Sequence, residues 1–176
     1  MPFLGEPLIQ RVVKRLAPVA DEILVTTNRP EGYRFLGIPL YPDLRPGYGA
    51  LGGLFTALSA AKYSLTAVIA CDMPFASAEI VDYARKLLDK PAIDAVIPST
   101  AQGLEPLHAV YRKRTCLPEV KTALETDNLK MISWIERVKV RLLSSEEIAR
   151  LDPAGNAFRN LNTPEDFIHA ESLAGA

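Results

Sequence analysis

The run Thr66 to Phe75, TAVIACDMPF, constrains this chain more than any other. Its apolar stretch from Ala67 to Cys71 has no helical spacing and predicts a short strand buried on both faces. The stretch ends in an acid, Asp72, and Met73-Pro74 follows at once. Residues before proline are pushed out of the helical region, so the chain is expected to stay extended past the acid. That delivers one carboxylate to the C-terminal edge of a central strand, where open α/β sheets bind ligands. A lone acid there suits a Mg²⁺–nucleotide site, because Mg²⁺ is held by one or two carboxylates plus substrate phosphates. A surface acid that merely ends a strand reads equally well from spacing alone.

Composition narrows the classes. At 176 residues the chain is expected to form one domain, residues 1–176, with enough length for a core. Twenty basic residues against 21 acidic ones give a net charge of −1, which provides no bulk attraction to nucleic acid or to an anionic membrane. Arg112-Lys113-Arg114 reads as a solvated turn. No apolar stretch has the length of a membrane span, and Met1-Pro2-Phe3-Leu4 lacks the features of a signal peptide. Cys71 and Cys116 make neither a disulfide framework nor a metal cluster, and Cys71 is expected as a small core residue. The expected compartment is the cytosol.

Strand and helix signals alternate along the chain. Helices are expected from Pro7 to Leu16, Leu54 to Ala61, Ser77 to Leu88, Cys116 to Leu124 and Leu129 to Val138. Ser144 to Glu147 is a capping box opening another helix. Thr163-Pro164-Glu165-Asp166 has the cap, first-turn proline and acids of a last one. Strands are expected at Glu22–Thr27, Ile38–Tyr41, the run ending at Asp72, Ala92–Pro98, Pro106–Tyr111 and Val138–Leu143. This is an α/β layered pattern with a mostly parallel sheet and flanking helices.

Four sets of residues carry chemistry. Gly47 to Gly52 matches G-x-G-x-x-G before a helix, with Asp72 about 20 residues on. Asp43-Leu44-Arg45-Pro46 separates it from any strand, which argues against dinucleotide binding. A Gly-rich loop at a helix N-terminus still lets backbone N–H groups approach an anion. Asn28 and Asp43 follow successive strands and could read a base edge, since guanine offers N1–H and N2–H₂ donors to a carboxylate. Asx turns are the competing reading. Asn160-Leu161-Asn162 puts two amides on one face if extended, and one could complete a metal site with Asp72. His108 and His169 read as structural.

GALGG before a helix, then CDMPF, LEPLHAVYR and FRNLNTPEDF, in this order, resemble the molybdenum cofactor guanylyltransferases over essentially the whole chain. The resemblance implies a Rossmann-like nucleotidyltransferase fold, required Mg²⁺, and transfer of GMP from GTP to molybdopterin. It also implies molybdoenzymes or their chaperones as partners. By the same resemblance Asp72 is the catalytic acid that binds metal and phosphate, and Asn162 is the later Asn near the metal. Thr26, Asn28, Asp43, Gly49, Leu51 and Gly52 match the nucleotide-binding segments. Ala50 stands where many members have proline. The family's opening strand and Gly-rich phosphate loop, with its Arg and Lys, have no match here. Their absence leaves open a binding homologue without transfer, or a relative using CTP or a sugar phosphate, and a missing central strand should expose apolar sheet edge.

Overall fold

The computed structural model describes residues 2–126 and 128–174, so Met1, on which the reading of the chain's start partly rests, lies outside it. A small hairpin, β1 (Pro2–Phe3) and β2 (Glu6–Pro7), turns through Leu4 and Gly5, both at positive φ. Helix α1 (Leu8–Leu16) follows, with Ile9 and Val12 buried as its spacing predicts. Strand β3 (Val25–Thr26) pairs in parallel with β4 (Leu40–Tyr41). Then come α2 (Gly49–Ala60), β5 (Leu65–Ile69), α3 (Ala78–Leu87), β6 (Ala95–Thr100), β7 (Gly103–Leu104) and β8 (His108–Arg112). The chain finishes with α4 (Lys113–Glu125), β9 (Val140–Leu143), α5 (Ser145–Leu151) and α6 (Pro164–Ala174).

The main sheet runs β5-β8-β6-β7, with β9 parallel to β6. β8 is antiparallel to both β5 and β6, so β5, β6 and β9 share a direction. Alternate residues feed the two faces. Ala95, Ile97, Ala109 and Tyr111 join Leu51, Leu54 and Leu58 of α2 and Val120 of α4 in one cluster. Val96 and Val110 join Ile80, Ala84 and Ile148 of α3 and α5 in another. A sheet buried by helices on both sides is the layered α/β architecture expected of near-continuous apolar strands.

Several local expectations change. β5 is only half-buried and its Ala67 is exposed, because the edge away from β8 has no neighbouring strand among the described residues. Cys71 is exposed rather than in the core. Residues 129–138 form turns and a short 3₁₀ segment (Ile135–Arg137) instead of a helix. Their apolar spacing serves a loop that covers the core: Trp134 is fully buried and its indole N–H donates to the Met131 carbonyl at 3.0 Å. Arg112-Lys113-Arg114 is not a free turn. Arg112 donates to the Ile93 and Leu88 carbonyls, and Lys113 Nζ donates to the Ser59 and Ala61 carbonyls at the end of α2. Cationic side chains there satisfy helix-terminal carbonyls. The caps at Ser77, Ser144 and Thr163 form as expected.

His108 is 1% exposed, and its Nε2 accepts the Ser77 N–H at 3.0 Å while its ring meets Phe158 edge-on. Burial lowers its pKa to about 4. The unfolded imidazole binds its proton near pH 6.5 and the folded one near 4, so the unfolded state protonates first as pH falls. The stability this neutral histidine contributes is complete above about pH 6.5 and is lost towards pH 4, at up to about 1.4 kcal/mol per unit. Urea midpoints should therefore decline through this window, and His108→Gln should flatten the decline. An undiminished decline in the variant would remove His108 as its cause.

Candidate active site

The first part of the site grows from the ends of β3 and β4. Their register sets Thr26 beside Tyr41, so the chain emerges from the pair with Asn28 and Asp43 side by side. Asn28 Nδ2 donates to Asp43 Oδ2 at 2.8 Å, and Asn28 Oδ1 accepts the Asp43 N–H at 2.9 Å. In place of local Asx turns, the two residues bond to each other across the strand ends, which holds the carboxylate while leaving it a second oxygen for a ligand.

The loop after Asp43 is strapped onto α2. The Leu44 N–H donates to Thr56 Oγ1 at 3.0 Å, and that hydroxyl donates to the Gly52 carbonyl at 2.9 Å. Gly52 admits no side chain: a Cβ would lie 2.9 Å from the Arg45 carbonyl oxygen and 3.1 Å from Tyr48 Cβ. This close approach lets α2 begin at Gly49, inside the stretch expected to be loop. Gly49, Ala50 and Leu51 occupy the first turn, where N–H groups have no intrahelical acceptor. The Leu51 side chain is fully buried in the core, so what it offers a ligand is its backbone. Thr26 sits against the same turns, its Oγ1 3.8 Å from where a Gly53 Cβ would be.

The second part lies past β5. Asp72 is three residues beyond the strand, in a turn where the Met73 N–H reaches the Ala70 carbonyl at 3.4 Å. Proline restricts Met73 rather than Asp72, which leaves the acid able to turn where an extended chain was expected. The Asp72 carbonyl accepts the Leu161 N–H at 2.9 Å. Leu161 is buried, and Asn160 and Asn162 on either side of it are exposed. The alternation is that of an extended segment, so both amides leave the face opposite Leu161, on the segment bonded to Asp72.

Two residues outside the set predicted for the site hold this arrangement. Asp166 Oδ2 accepts the N–H groups of Asn162 at 3.0 Å and Thr163 at 2.8 Å, and these bonds lower its pKa, Thr163's most. The Thr-x-x-Asp spacing of a capping box is the signal for it. Arg15 Nε donates to the Ala76 carbonyl at 2.8 Å and ties α1 to the turn carrying Asp72; a lone arginine on a helix carries no such signal.

The two parts meet at one end of the sheet. α2 is about 18 Å long and returns through a short connection into β5, on which it packs. A helix that feeds a strand in this way sets its N-terminus beside the strand's C-terminus. A cleft of about 580 Å³ runs between them, with Thr26, Ala50 and Gly53 on one side and Ala70 and Cys71 on the other. Cys71 is exposed at the cleft, but the protein around it displaces part of its water, and this desolvation, then the Asp72 charge, raise the thiol pKa.

Asp72 Oδ1 is buried with no hydrogen-bond partner among the described residues. An orphaned carboxylate oxygen, on a turn bonded to a segment with two exposed amides, fits a hard cation that takes its other ligands from phosphates and water. Among the described residues no group of three or more His, Cys, Asp or Glu could hold a metal on its own.

The family model described as "MobA-like NTP transferase domain" matches residues 1–140. The probable molybdenum cofactor guanylyltransferase of Pelotomaculum thermopropionicum is 34% identical over 169 residues, covering 96% of this chain and 81% of its own. That of Peptoclostridium acidaminophilum is 32% identical over 165 residues, covering 91% of this chain and 74% of its own. The crystal structure of molybdopterin-guanine dinucleotide biosynthesis protein A from Archaeoglobus fulgidus superposes with a TM-score of 0.84 at 26% identity, covering 99% of this chain and 89% of that one. A 4-diphosphocytidyl-2C-methyl-D-erythritol synthase from Anaerococcus prevotii, at 15% identity and a TM-score of 0.75, covers 99% of this chain and 88% of its own and shares the fold.

Gly52 and Gly53 separate packing from mere loop composition. Gly52→Ala should cost about 1–3 kcal/mol of stability, because backbone must move. Gly53→Ala, with only the Thr26 hydroxyl at 3.8 Å, should be tolerated. Thermal unfolding of the two variants reads the difference; equal midpoints would mean that the loop does not lean on α2.

Proposed function

The chain belongs to the MobA-like NTP transferase family, and on that basis we propose that it transfers GMP from GTP to molybdopterin to form the guanine dinucleotide cofactor. The observation that carries this reading is the Asp72–Leu161 backbone bond, which ties the turn holding an orphaned carboxylate oxygen to the Asn160–Asn162 segment just past the end of β5. Its relatives named molybdenum cofactor guanylyltransferase support GTP and molybdopterin as the substrates.

Each residue then has a part. Asp43, fixed by Asn28, accepts from the N1–H and N2–H₂ edge of guanine. The N–H groups of Gly49, Ala50 and Leu51 receive phosphate oxygens at the start of α2, and Gly52 permits the approach of the loop. Thr26 lines the same wall. Asp72 and Asn162 hold Mg²⁺, which when bound neutralises phosphate charge and aligns the groups. The terminal phosphate oxygen of molybdopterin bonds to the α-phosphorus of GTP as the α–β bridging bond breaks, and pyrophosphate leaves with the electron pair. No side-chain nucleophile is required, and His108, buried and neutral, takes no part. The reading covers residues 1–176 as one nucleotidyltransferase domain, a cytoplasmic location, and delivery of the product to molybdoenzymes or their chaperones. Among the described residues no helix is long and apolar enough to cross a membrane.

Pyrophosphate release with GTP, molybdopterin and Mg²⁺ tests this directly. Asp72→Asn should abolish it, and chelation of the metal should do the same. Asp43→Asn should raise the GTP KM by about ten- to a hundredfold, the value of hydrogen bonds to a charged acceptor. Undiminished turnover in Asp72→Asn, or equal use of CTP by the unaltered chain, would overturn the reading.

A further inference from the structure

The motif LEPLHAVYR contains an acid, Glu105, that the nucleotide site does not use. Strand register brings it to the reacting end of the sheet. β5 and β8 pair with Ile69 opposite His108, and the Ala70 N–H extends the ladder to the Leu107 carbonyl at 2.8 Å. Carried two positions further, the same register sets Asp72 against Glu105. The two chains part there. The Asp72 carbonyl turns to the Leu161 N–H, and the Glu105 N–H turns to the Pro98 carbonyl of β6 at 2.9 Å. Asp43 follows β4, which lies with β3 off the other edge of β5. Asp72 therefore stands between two further acids, Asp43 on the nucleotide side and Glu105 on the β8 side.

The backbone of Glu105 is firmly held and its side chain is not. Besides its bond to Pro98, its carbonyl accepts the His108 N–H at 3.1 Å, and the buried Tyr111 hydroxyl donates to the adjoining Pro106 carbonyl at 2.6 Å. The carboxyl group is half-buried, and no cation pairs with it among the described residues. Thr100 Oγ1 donates to it at 3.3 Å, but that hydroxyl has one proton, and the Gly103 carbonyl at 3.2 Å competes for it. Loss of water raises the carboxyl pKa, and the Thr100 bond offsets this only in part. A charge that loses water and gains so little within the fold is suited to donors brought by a ligand.

The chemistry of the transfer says which ligand. Attacking and leaving oxygens stand roughly in line on opposite sides of the phosphorus. With the nucleotide on the Asp43 side and at the start of α2, the acceptor enters from the β8 side. A pterin ring carries a 2-amino group beside a ring N–H, the same paired donors that guanine presents, and one carboxylate can accept both. We propose that Glu105 binds the pterin ring of the acceptor, its carboxylate taking the 2-amino and ring N–H donors, and so orients the acceptor's terminal phosphate towards Asp72. The ring and that phosphate lie at opposite ends of molybdopterin, as Glu105 and Asp72 lie on chains that diverge from one strand pair. Asp43 then selects the purine and Glu105 the pterin. The inference rests on the reading of molybdopterin as the acceptor.

Glu105→Gln keeps the size of the side chain and replaces one acceptor oxygen with a donor. It should raise the KM for molybdopterin by about ten- to a hundredfold, the value of hydrogen bonds to a charged acceptor, and leave the KM for GTP unchanged. The thermal midpoint should stay where it is, because backbone bonds hold the position. A second readout needs no turnover: ligand-observed NMR with 6-hydroxymethylpterin, with GTP saturating so that the guanine site is filled. The unaltered chain should bind this pterin, Glu105→Gln should bind it at least about tenfold more weakly, and the 2-desamino analogue should bind neither protein well. Equal pterin affinity in the two proteins, or equal affinity of the unaltered chain for pterin and its desamino analogue, would overturn the proposal. If the variant fails to fold, the two pterins on the unaltered chain decide. Absence of transfer from GTP would count against the proposed function, and the pterin titration would still decide the role of Glu105.

Discussion

Helix α2 holds together two pieces of sheet that, among the described residues, do not hydrogen-bond to each other. It packs on β3, on β5 and on α4 at once, and it carries Leu51, Leu54 and Leu58 into the main core. Its far end is fixed by Lys113, whose ammonium group binds the Ser59 and Ala61 carbonyls. Its near end is fixed by Gly52, pressed against the Arg45 carbonyl. Everything that makes the cleft a site depends on this helix standing where it does. Its N-terminus forms one wall of the cleft, and its return into β5 brings Asp72 to the same end.

The candidate site is assembled almost wholly from main-chain hydrogen bonds and short polar side chains. Asn28 grips Asp43 twice, and Asp166 grips the Asn162 and Thr163 amides. Leu161 grips Asp72 through the backbone. Such bonds spend few rotamers and place polar atoms within a narrow range, as positioning a reactant requires. The exposed amides of Asn160 and Asn162 and the orphaned oxygen of Asp72 then have open coordination capacity at a place the surrounding bonds have made rigid.

Much of this is legible in the order of residues along the chain. The acid after an apolar strand, the paired Asn residues around a leucine, the glycines ahead of a helix and the cap at Thr163 all carry local signals that need only neighbours in sequence. The less legible features are those decided at a distance. Residues 129–138 have helical spacing, yet burial of Trp134 draws them into turns. Three consecutive cations look solvated, yet Arg112 and Lys113 are recruited by carbonyls more than 20 residues away. Cys71 belongs to an apolar run, yet it stands exposed because β5 ends at Ile69 and Cys71 lies in the turn that follows.

The sequence by itself determined the caps and the α/β layering and supplied the candidate site residues, because periodicity, turn chemistry and motif spacing are properties of nearest neighbours along the chain. Only the tertiary structure decided which of those residues meet. It paired Asn28 with Asp43, set Asp72 on the Leu161 amide, turned the Leu51 side chain away from the ligand face and left two sheet edges open to one cleft. Those outcomes depend on how α2 and β8 pack across the fold, and long-range packing leaves no periodic trace in the residues it brings together.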